Sequence, residues 1–430
     1  MKGDKRMPPA PTDTNINTDP SQIPAIAGGE PLCRDGFQRC PRYGDEELKL
    51  LKEALEQQTL FYAQGRMVSR MEERFCRIIG SLHAVATSSG TAAIHSALMA
   101  AGISPGDEVI TSPITDMGTV VPILWQGAIP VFADVDPESC SITPDSVSAV
   151  LTPRTRAVLA VHLWGNACDL DGLARLCAER NIILIEDCAQ AFGCAFRGRS
   201  VGTVGAIGCF SLNEFKHISC GDGGIAVTSD PELARRLRLA TDKCYGRTAE
   251  GASRLAFFLA NNYRMTELQG AVALAQMEKL EDIVARRRRW CSGLLEGLRG
   301  VPGIRLPRPT EGCDPSWWFF PMRVIPEELG CGPDEFAAAL RAEGVPASAR
   351  YIGQCVYEYP LFRDHSAFER GAHPFSAFDY HKGLCPEAEA WLETVVNIAI
   401  NEAYTAADMD ACVRAVSRVA RWFAARPASA

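Results

Sequence analysis

Lys216 follows the apolar run IGCFS and precedes the glycine-rich turn CGDGG, within FSLNEFKHISCGDGG. Burial at the end of an apolar strand lowers the pKa of an amine and makes it a nucleophile toward an aldehyde at neutral pH. A surface lysine before a turn is the other reading. Asp187 ends the hydrophobic run NIILIED. A carboxylate there is costly unless a cation meets it, either a ligand's protonated nitrogen or an arginine, or unless it caps a helix. In SSGTAAIHSAL, Gly90 and Thr91 open a helix directly after the run HAVAT. Their free N–H groups and the helix dipole suit a phosphate, although the same pattern serves as a plain helix cap. Ser211 can offer a hydroxyl to that phosphate, and Gln190 can reach a ligand oxygen from three residues past Asp187. Asn262 and Arg264 stand in NNYRMTELQGA, which also reads as a polar helix start capped by Thr266. His162 ends RAVLAVHLW, where it faces the same ligand side or is a satisfied core histidine.

These groups meet only if several strands end along one edge. From Leu82 to Leu239, short apolar runs (HAVAT, EVITS, IPVFAD, RAVLAVHLW, NIILIED) alternate with helical stretches such as TAAIHSALMAA and DGLARLCAER. That alternation predicts βα units and a mostly parallel sheet, with ligands at the strand ends. Two helices precede it, with stripes of Leu48, Leu51, Leu55 and of Met71, Phe75, Ile78. One long helix is expected over MTELQGAVALAQMEKLEDIVARRRRWCSGLLEGL, ended by Gly300, Pro302 and Gly303. Beyond it, WWFFPMRV reads as a strand, PDEFAAALRAEG as a helix and AADMDACVRAVSRVARWFAA as a closing amphipathic helix. The expected organisation is a flexible tail at 1–27, a large α/β domain at 28–300 and a small α+β domain at 301–430. AGGEPL is its first ordered strand or turn.

The chain has 430 residues, more than one core usually holds, so two lobes are expected. At 47% hydrophobic and 22% charged, its composition is that of an ordinary globular protein, and no run reads as a membrane span. The amino terminus lacks a secretory pattern, so the cytoplasm is the expected address. A net charge of −8 offers no field for nucleic acid, and the basic cluster Arg286 to Arg289 is expected to be a solvated helix face. The 17 cysteines include no C-x-x-C pair, so neither a metal site nor a disulfide framework is expected.

From about Ala27 to the carboxyl terminus the chain resembles the DegT/DnrJ/EryC/StrS aminotransferases, pyridoxal-phosphate enzymes of fold type I. The matching motifs are Ser89-Gly90-Thr91-Ala92-Ala93-Ile94, Glu186-Asp187-Cys188-Ala189-Gln190, Phe210-Ser211 with Lys216 and Gly221-Asp222-Gly223-Gly224, and Asn262 with Arg264, Met265, Glu267 and Gln269. The resemblance implies that Lys216 holds the cofactor aldehyde covalently and then moves protons. It implies that Asp187 holds the pyridine nitrogen, that Gly90, Thr91 and Ser211 bind phosphate, and that Gln190 contacts the ring oxygen. Asn262 would reach the phosphate of a neighbouring subunit in a homodimer. The implied reaction moves an amino group from glutamine or glutamate to a keto-sugar or keto-cyclitol. AGGEPL and RYIGQCVYEYP lean toward the cyclitol enzymes and aminohydroxybenzoate synthases. A lyase or aromatising synthase on this scaffold and a non-catalytic regulator are the other readings, and Lys216 argues against relatives that dehydrate sugars with a histidine there.

The chain departs from the family pattern twice. SPITDMGT places Asp116 where an aromatic ring normally covers the cofactor, and Asn213 stands where histidine is common. Met117 or a neighbour then covers the ring, or Asp116 contacts the donor or acceptor. Asp116, His162 and Asn213 are therefore the candidate substrate contacts.

Overall fold

Seven strands form the central sheet of the computed structural model, which describes residues 22–34, 36–248 and 251–426. They are β1 (His83–Thr87), β2 (Glu108–Thr111), β3 (Ile129–Phe132), β4 (Thr155–Val161), β5 (Ile183–Asp187), β6 (Ile207–Ser211) and β7 (Gly224–Thr228). Their order is β1-β7-β6-β5-β4-β2-β3. Strands β2 to β6 pair in parallel, while β7 runs against both β6 and β1. Strands covered on both faces have no polar side to show, which is why they read as continuous apolar runs. Val158, Leu159 and Ala160 of β4 are accordingly all fully buried.

Helix α1 (Asp45–Glu56) and helix α2 (Met67–Ile79) precede the sheet, and α3 (Gly90–Ala100) and α4 (Met117–Trp125) follow β1 and β2. The parallel crossovers therefore bring the start of α3 and α4 beside the ends of β4, β5 and β6. A second sheet contains β8 (Ile304–Arg305), β9 (Phe319–Val324), β10 (Ala347–Ala349) and β11 (Val395–Ala399), in the order β8-β9-β11-β10. All its pairings are antiparallel. The helices Pro333–Ala342 and Ala406–Ala424 accompany it, so the carboxyl-terminal elements are those expected.

Several local expectations change. Residues 1–21 of the expected tail lie outside the described residues, but Ala25–Ala27 form a 3-10 turn rather than tail or strand. In α1 the expected stripe holds only at Leu51, which packs against the cluster of Ala54, Met67 and Ala271; Leu48 and Leu55 are 64% and 56% exposed, while Glu47 and Ala54 face inward. Glu47 is tolerated inside because Gln276 and Lys279 reach its Oε1 at 2.8 and 2.7 Å. The single long helix is two, Glu267–Met277 and Leu280–Gly297. Glu278 and Lys279 donate to carbonyls three residues back, tightening the turn, and Glu47 draws the Lys279 side chain aside. The basic cluster is not simply a solvated face. Arg287 is buried against Glu402 (2.9 Å) and the carbonyls of Trp317 and Trp318.

The amino-terminal segment is tied to the carboxyl-terminal half through Glu343. This fully buried carboxylate accepts from Ala25 N and Leu32 N, each at 3.0 Å, and pairs with Arg418, whose Nε lies 3.1 Å from Oε1. Removing one member of a buried ion pair leaves the other desolvated without its counter-charge, at a cost of about 3–5 kcal/mol. Glu343→Ala is therefore expected to lose about 3 kcal/mol in equilibrium urea unfolding, and Glu343→Leu with Arg418→Met to recover much of that loss. A single variant as stable as the parent would show that the tie carries no weight.

Candidate active site

A cavity of about 240 Å³ opens where β4, β5 and β6 end. At one end, Ser89 caps α3 by accepting the Ala92 N–H at 3.0 Å. The first-turn N–H groups of Gly90 and Thr91 have no intrahelical acceptor and remain available to an anion. Gly90 is required here because a Cβ on it would lie 2.7 Å from the Ser211 Cβ. The helix start thus packs directly on the end of β6, bringing the Ser211 hydroxyl to the same place. A Cβ on Gly118 would stand 2.7 Å from Thr91 Oγ1, so α4 also closes in through a glycine.

Asp187 ends β5 inside the cavity and is 5% exposed. Thr119 Oγ1 donates to its Oδ2 at 2.7 Å and Ala189 N to its Oδ1 at 3.0 Å. Thr119 is in turn 2.6 Å from Thr115 Oγ1. Burial nonetheless pushes the Asp187 pKa up, the hydrogen bonds and the Lys216 charge opposing it. No arginine lines the cavity among the described residues, and Lys216 makes no ion pair with this carboxylate, so a cationic ligand atom fits as its partner.

Lys216 lines the same cavity. Its Nζ is 4.2 Å from the centre of the Trp318 ring and makes no hydrogen bond or ion pair among the described residues. Burial pulls its pKa down, while Asp187 and Asp116 pull it back up. Trp318 is fixed by its Nε1–H, which donates to Phe215 O at 2.8 Å. Gln190 accepts from Trp164 N and donates to Tyr351 OH, both at 2.8 Å, leaving one amide hydrogen for a ligand. Trp164, Trp317 and Tyr351 have backbone φ of 50°, 53° and 40°, a region bulky residues rarely enter.

The candidate substrate contacts fare differently. Asp116 is exposed on the rim and caps α4 by accepting from Gly118 N at 2.7 Å. Water and the Gly118 N–H satisfy its carboxylate, so it needs no counter-charge from the protein. Met117 packs against the core instead of lining the cavity. Asn213 lines the wall but is held by Asp222 (3.0 Å) and the Phe215 N–H (3.2 Å). His162 lines the cavity, yet Cys168 N donates to its Nδ1 at 3.2 Å and its Nε2 is 2.9 Å from Glu186 Oε2. It offers a ring face and no free nitrogen, so of the two sequence readings the satisfied core histidine holds and a substrate contact through nitrogen does not. Glu186 also accepts from Gly202, Val204 and Gly205. Although burial raises its pKa, the bonds from His162 and these amides hold it below the usual carboxylate range. His162, Glu186 and Cys188 converge within 4.8 Å, but this cluster is already satisfied by hydrogen bonds.

Asn262 is exposed and does not line the cavity within this chain. Arg264 is engaged with buried Asp242, together with Arg247 and Tyr62. Sequence reasoning missed Thr119, Trp318 and Tyr351. The Thr-x-x-x-Thr spacing across the start of α4 was the available trace of Thr119; the two aromatics come from segments read only as a strand and as a family likeness.

The residues fit pyridoxal phosphate: a glycine-opened anion cradle, a buried carboxylate lacking a cation and an unpaired amine share one cavity. The raised pKa of Asp187 also gives a stability test. A carboxyl group with raised folded-state pKa contributes stability below its unfolded pKa and loses it as pH rises through the folded value. Cofactor-free Asp187→Asn should therefore melt higher than the parent at pH 7, the gap closing as pH falls toward the ordinary Asp value of 3.8. A lower melting point at pH 7 would mark the carboxylate as structural.

Residues 41–417 match the model of the DegT/DnrJ/EryC1/StrS aminotransferase family. The chain is 32% identical over 350 residues to the spore coat polysaccharide biosynthesis protein SpsC of Bacillus subtilis (strain 168), covering 80% of this chain and 89% of that protein. The fold matches S. venezuelae DesV, solved in complex with a ketimine intermediate, with a TM-score of 0.77 and 30% identity over 89% of this chain and 95% of that one. It also matches 3-amino-5-hydroxybenzoic acid (AHBA) synthase, with a TM-score of 0.78 and 26% identity over 89% and 98%. The chain thus belongs to the DegT/DnrJ/EryC1/StrS aminotransferase family and is a pyridoxal-phosphate-dependent aminotransferase.

Proposed function

We propose that this aminotransferase moves an amino group from glutamine or glutamate to a keto-sugar or keto-cyclitol, with Lys216 as the catalytic residue. The observation that carries this reading is the unpaired, desolvated Lys216 amine in one cavity with Asp187. The bound cofactor supplies an electron sink for the carbon that loses its proton. Gly90, Thr91 and Ser211 bind the phosphate, Asp187 keeps the ring nitrogen protonated and Gln190 donates to the ring oxygen. Nζ of Lys216 takes the proton that leaves the donor carbon and returns one as the acceptor becomes an amine. The lowered pKa favours the neutral amine this requires. His162 sets a ring face against the cavity, and Asp116 and Asn213 border the substrate side at its rim.

Asn262 acts across a homodimer interface in this reading, binding the phosphate of the partner subunit. Leu255, Phe257 and Leu259, which precede it, are 69%, 72% and 92% exposed. Such apolar exposure next to a site residue supports a second copy of the chain there. AHBA synthase keeps an aromatising reaction in view, but the aminotransferase family match and DesV with its ketimine intermediate favour transamination.

Lys216→Ala is expected to abolish the borohydride-trapped cofactor adduct and lower turnover by at least about 10³-fold. In the parent, glutamine or glutamate should convert the absorption of the lysine-bound cofactor to that of its amine form, and a keto acceptor should restore it. Adduct formation at another lysine, or no spectral change with either donor, would refute the assignment. For the interface, mixing Lys216→Ala with Asn262→Ala subunits should regain up to about a quarter of parental activity, because random exchange makes half the dimers mixed, each with one intact site. Verified exchange with no recovery would place Asn262 outside the shared site.

A further inference from the structure

A second cavity, of about 440 Å³, lies between Pro137, Glu138 and Trp164 on one side and the β8–β9 pair with Trp391 on the other. Arg305 and Arg323 stand directly opposite each other on β8 and β9. Like charges at paired positions of an antiparallel ladder repel and destabilise it. Neither arginine has a carboxylate. Arg323 donates to Thr394 Oγ1 at 2.8 Å and to Pro137 O at 3.0 Å, both neutral, and Arg305 makes no side-chain hydrogen bond or ion pair among the described residues. Arg308, at the rim, pairs with Glu138 at 2.7 Å. Three guanidiniums against one carboxylate leave the lining with two uncompensated positive charges.

More distant carboxylates do not close this gap. Asp136 and Glu311 act on Arg308 in addition to Glu138, and Glu387 acts only weakly on Arg323. Burial, and then Arg305 beside it, push the Arg323 pKa down, as expected for a cation with no counter-ion. The remaining walls are apolar, formed by Trp164, Trp391 and Pro321.

We propose that this groove is a second binding site, for a small molecule carrying a phosphate group. Its phosphate sits between Arg305 and Arg323 and its body lies on the tryptophan and proline wall. A phosphate dianion matches the two spare charges and accepts from several guanidinium N–H groups, whereas one carboxylate leaves a charge over. Trp164 joins this groove to the catalytic cavity. Its N–H donates to Gln190 at 2.8 Å and its carbonyl accepts from Trp318 N at 2.9 Å, the residue whose ring faces Lys216.

The test uses cofactor-loaded enzyme, so that the cofactor's own phosphate cradle is filled, and titration calorimetry at constant ionic strength. Phenyl phosphate is the probe and benzoate, the same body with a single carboxylate charge, is the comparison. Phenyl phosphate should bind at least about tenfold more tightly than benzoate. Exposed Arg305 allows substitution without disturbing the core: Arg305→Ala should weaken phenyl phosphate about tenfold and Arg305→Glu should abolish its binding. Melting curves confirm folding, and Arg305→Ala decides if Arg305→Glu does not fold. No binding to the parent, benzoate binding as tightly, or unchanged affinity in the Arg305 variants would each overturn the proposal.

Discussion

A carboxylate buried at the end of a parallel strand is the constraint around which this molecule is arranged. Asp187 has left water, and two hydrogen bonds do not repay that loss, so its proton affinity rises. Keeping it in place falls to Thr119 on α4, to Thr115 behind it and to the turn that opens α4. That turn is held by Asp116 as a cap and by Gly118, which lets the helix approach Thr91. A residue that breaks the family pattern thus serves the geometry of the element supporting the buried charge.

The neighbouring strand position shows the complementary solution. Glu186 precedes Asp187, and its carboxylate is satisfied by His162 and three backbone amides. Successive strand side chains point to opposite faces, so one carboxylate is locked into the structure while the next faces the cavity. His162 is consumed by the first arrangement. That leaves Asp187 and Lys216 as the cavity's chemically unfinished groups.

The two halves of the chain meet at that cavity through aromatic residues in strained backbone. Trp164, Trp317 and Tyr351 take left-handed φ, and together with Gln190 and Trp318 they connect the large sheet to β9 and the segment after β10. Such strain persists only where surrounding contacts over-determine it. Arg287 supplies part of that support by bonding the carbonyls of Trp317 and Trp318. The same junction borders the cationic groove around Arg305 and Arg323.

The amino-acid sequence by itself determined the mostly parallel sheet, the alternation of strands and helices along the chain, and the cavity residues Gly90, Thr91, Asp187, Gln190, Ser211 and Lys216. These were legible because short apolar runs and helix starts are local patterns, and a parallel sheet places their ends on one edge. Tertiary structure decided what local pattern cannot carry. Leu48 and Leu55 face outward, while Glu47 is held inside by Gln276 and Lys279, more than 200 residues away. Arg287 alone of the basic run became a buried staple, because Glu402 and the Trp317 and Trp318 carbonyls came to meet it, while Arg286 and Arg289 stayed exposed. Whether a polar group is spent on the protein or left for a ligand depends on partners distant in sequence, and only the folded chain brings those partners together.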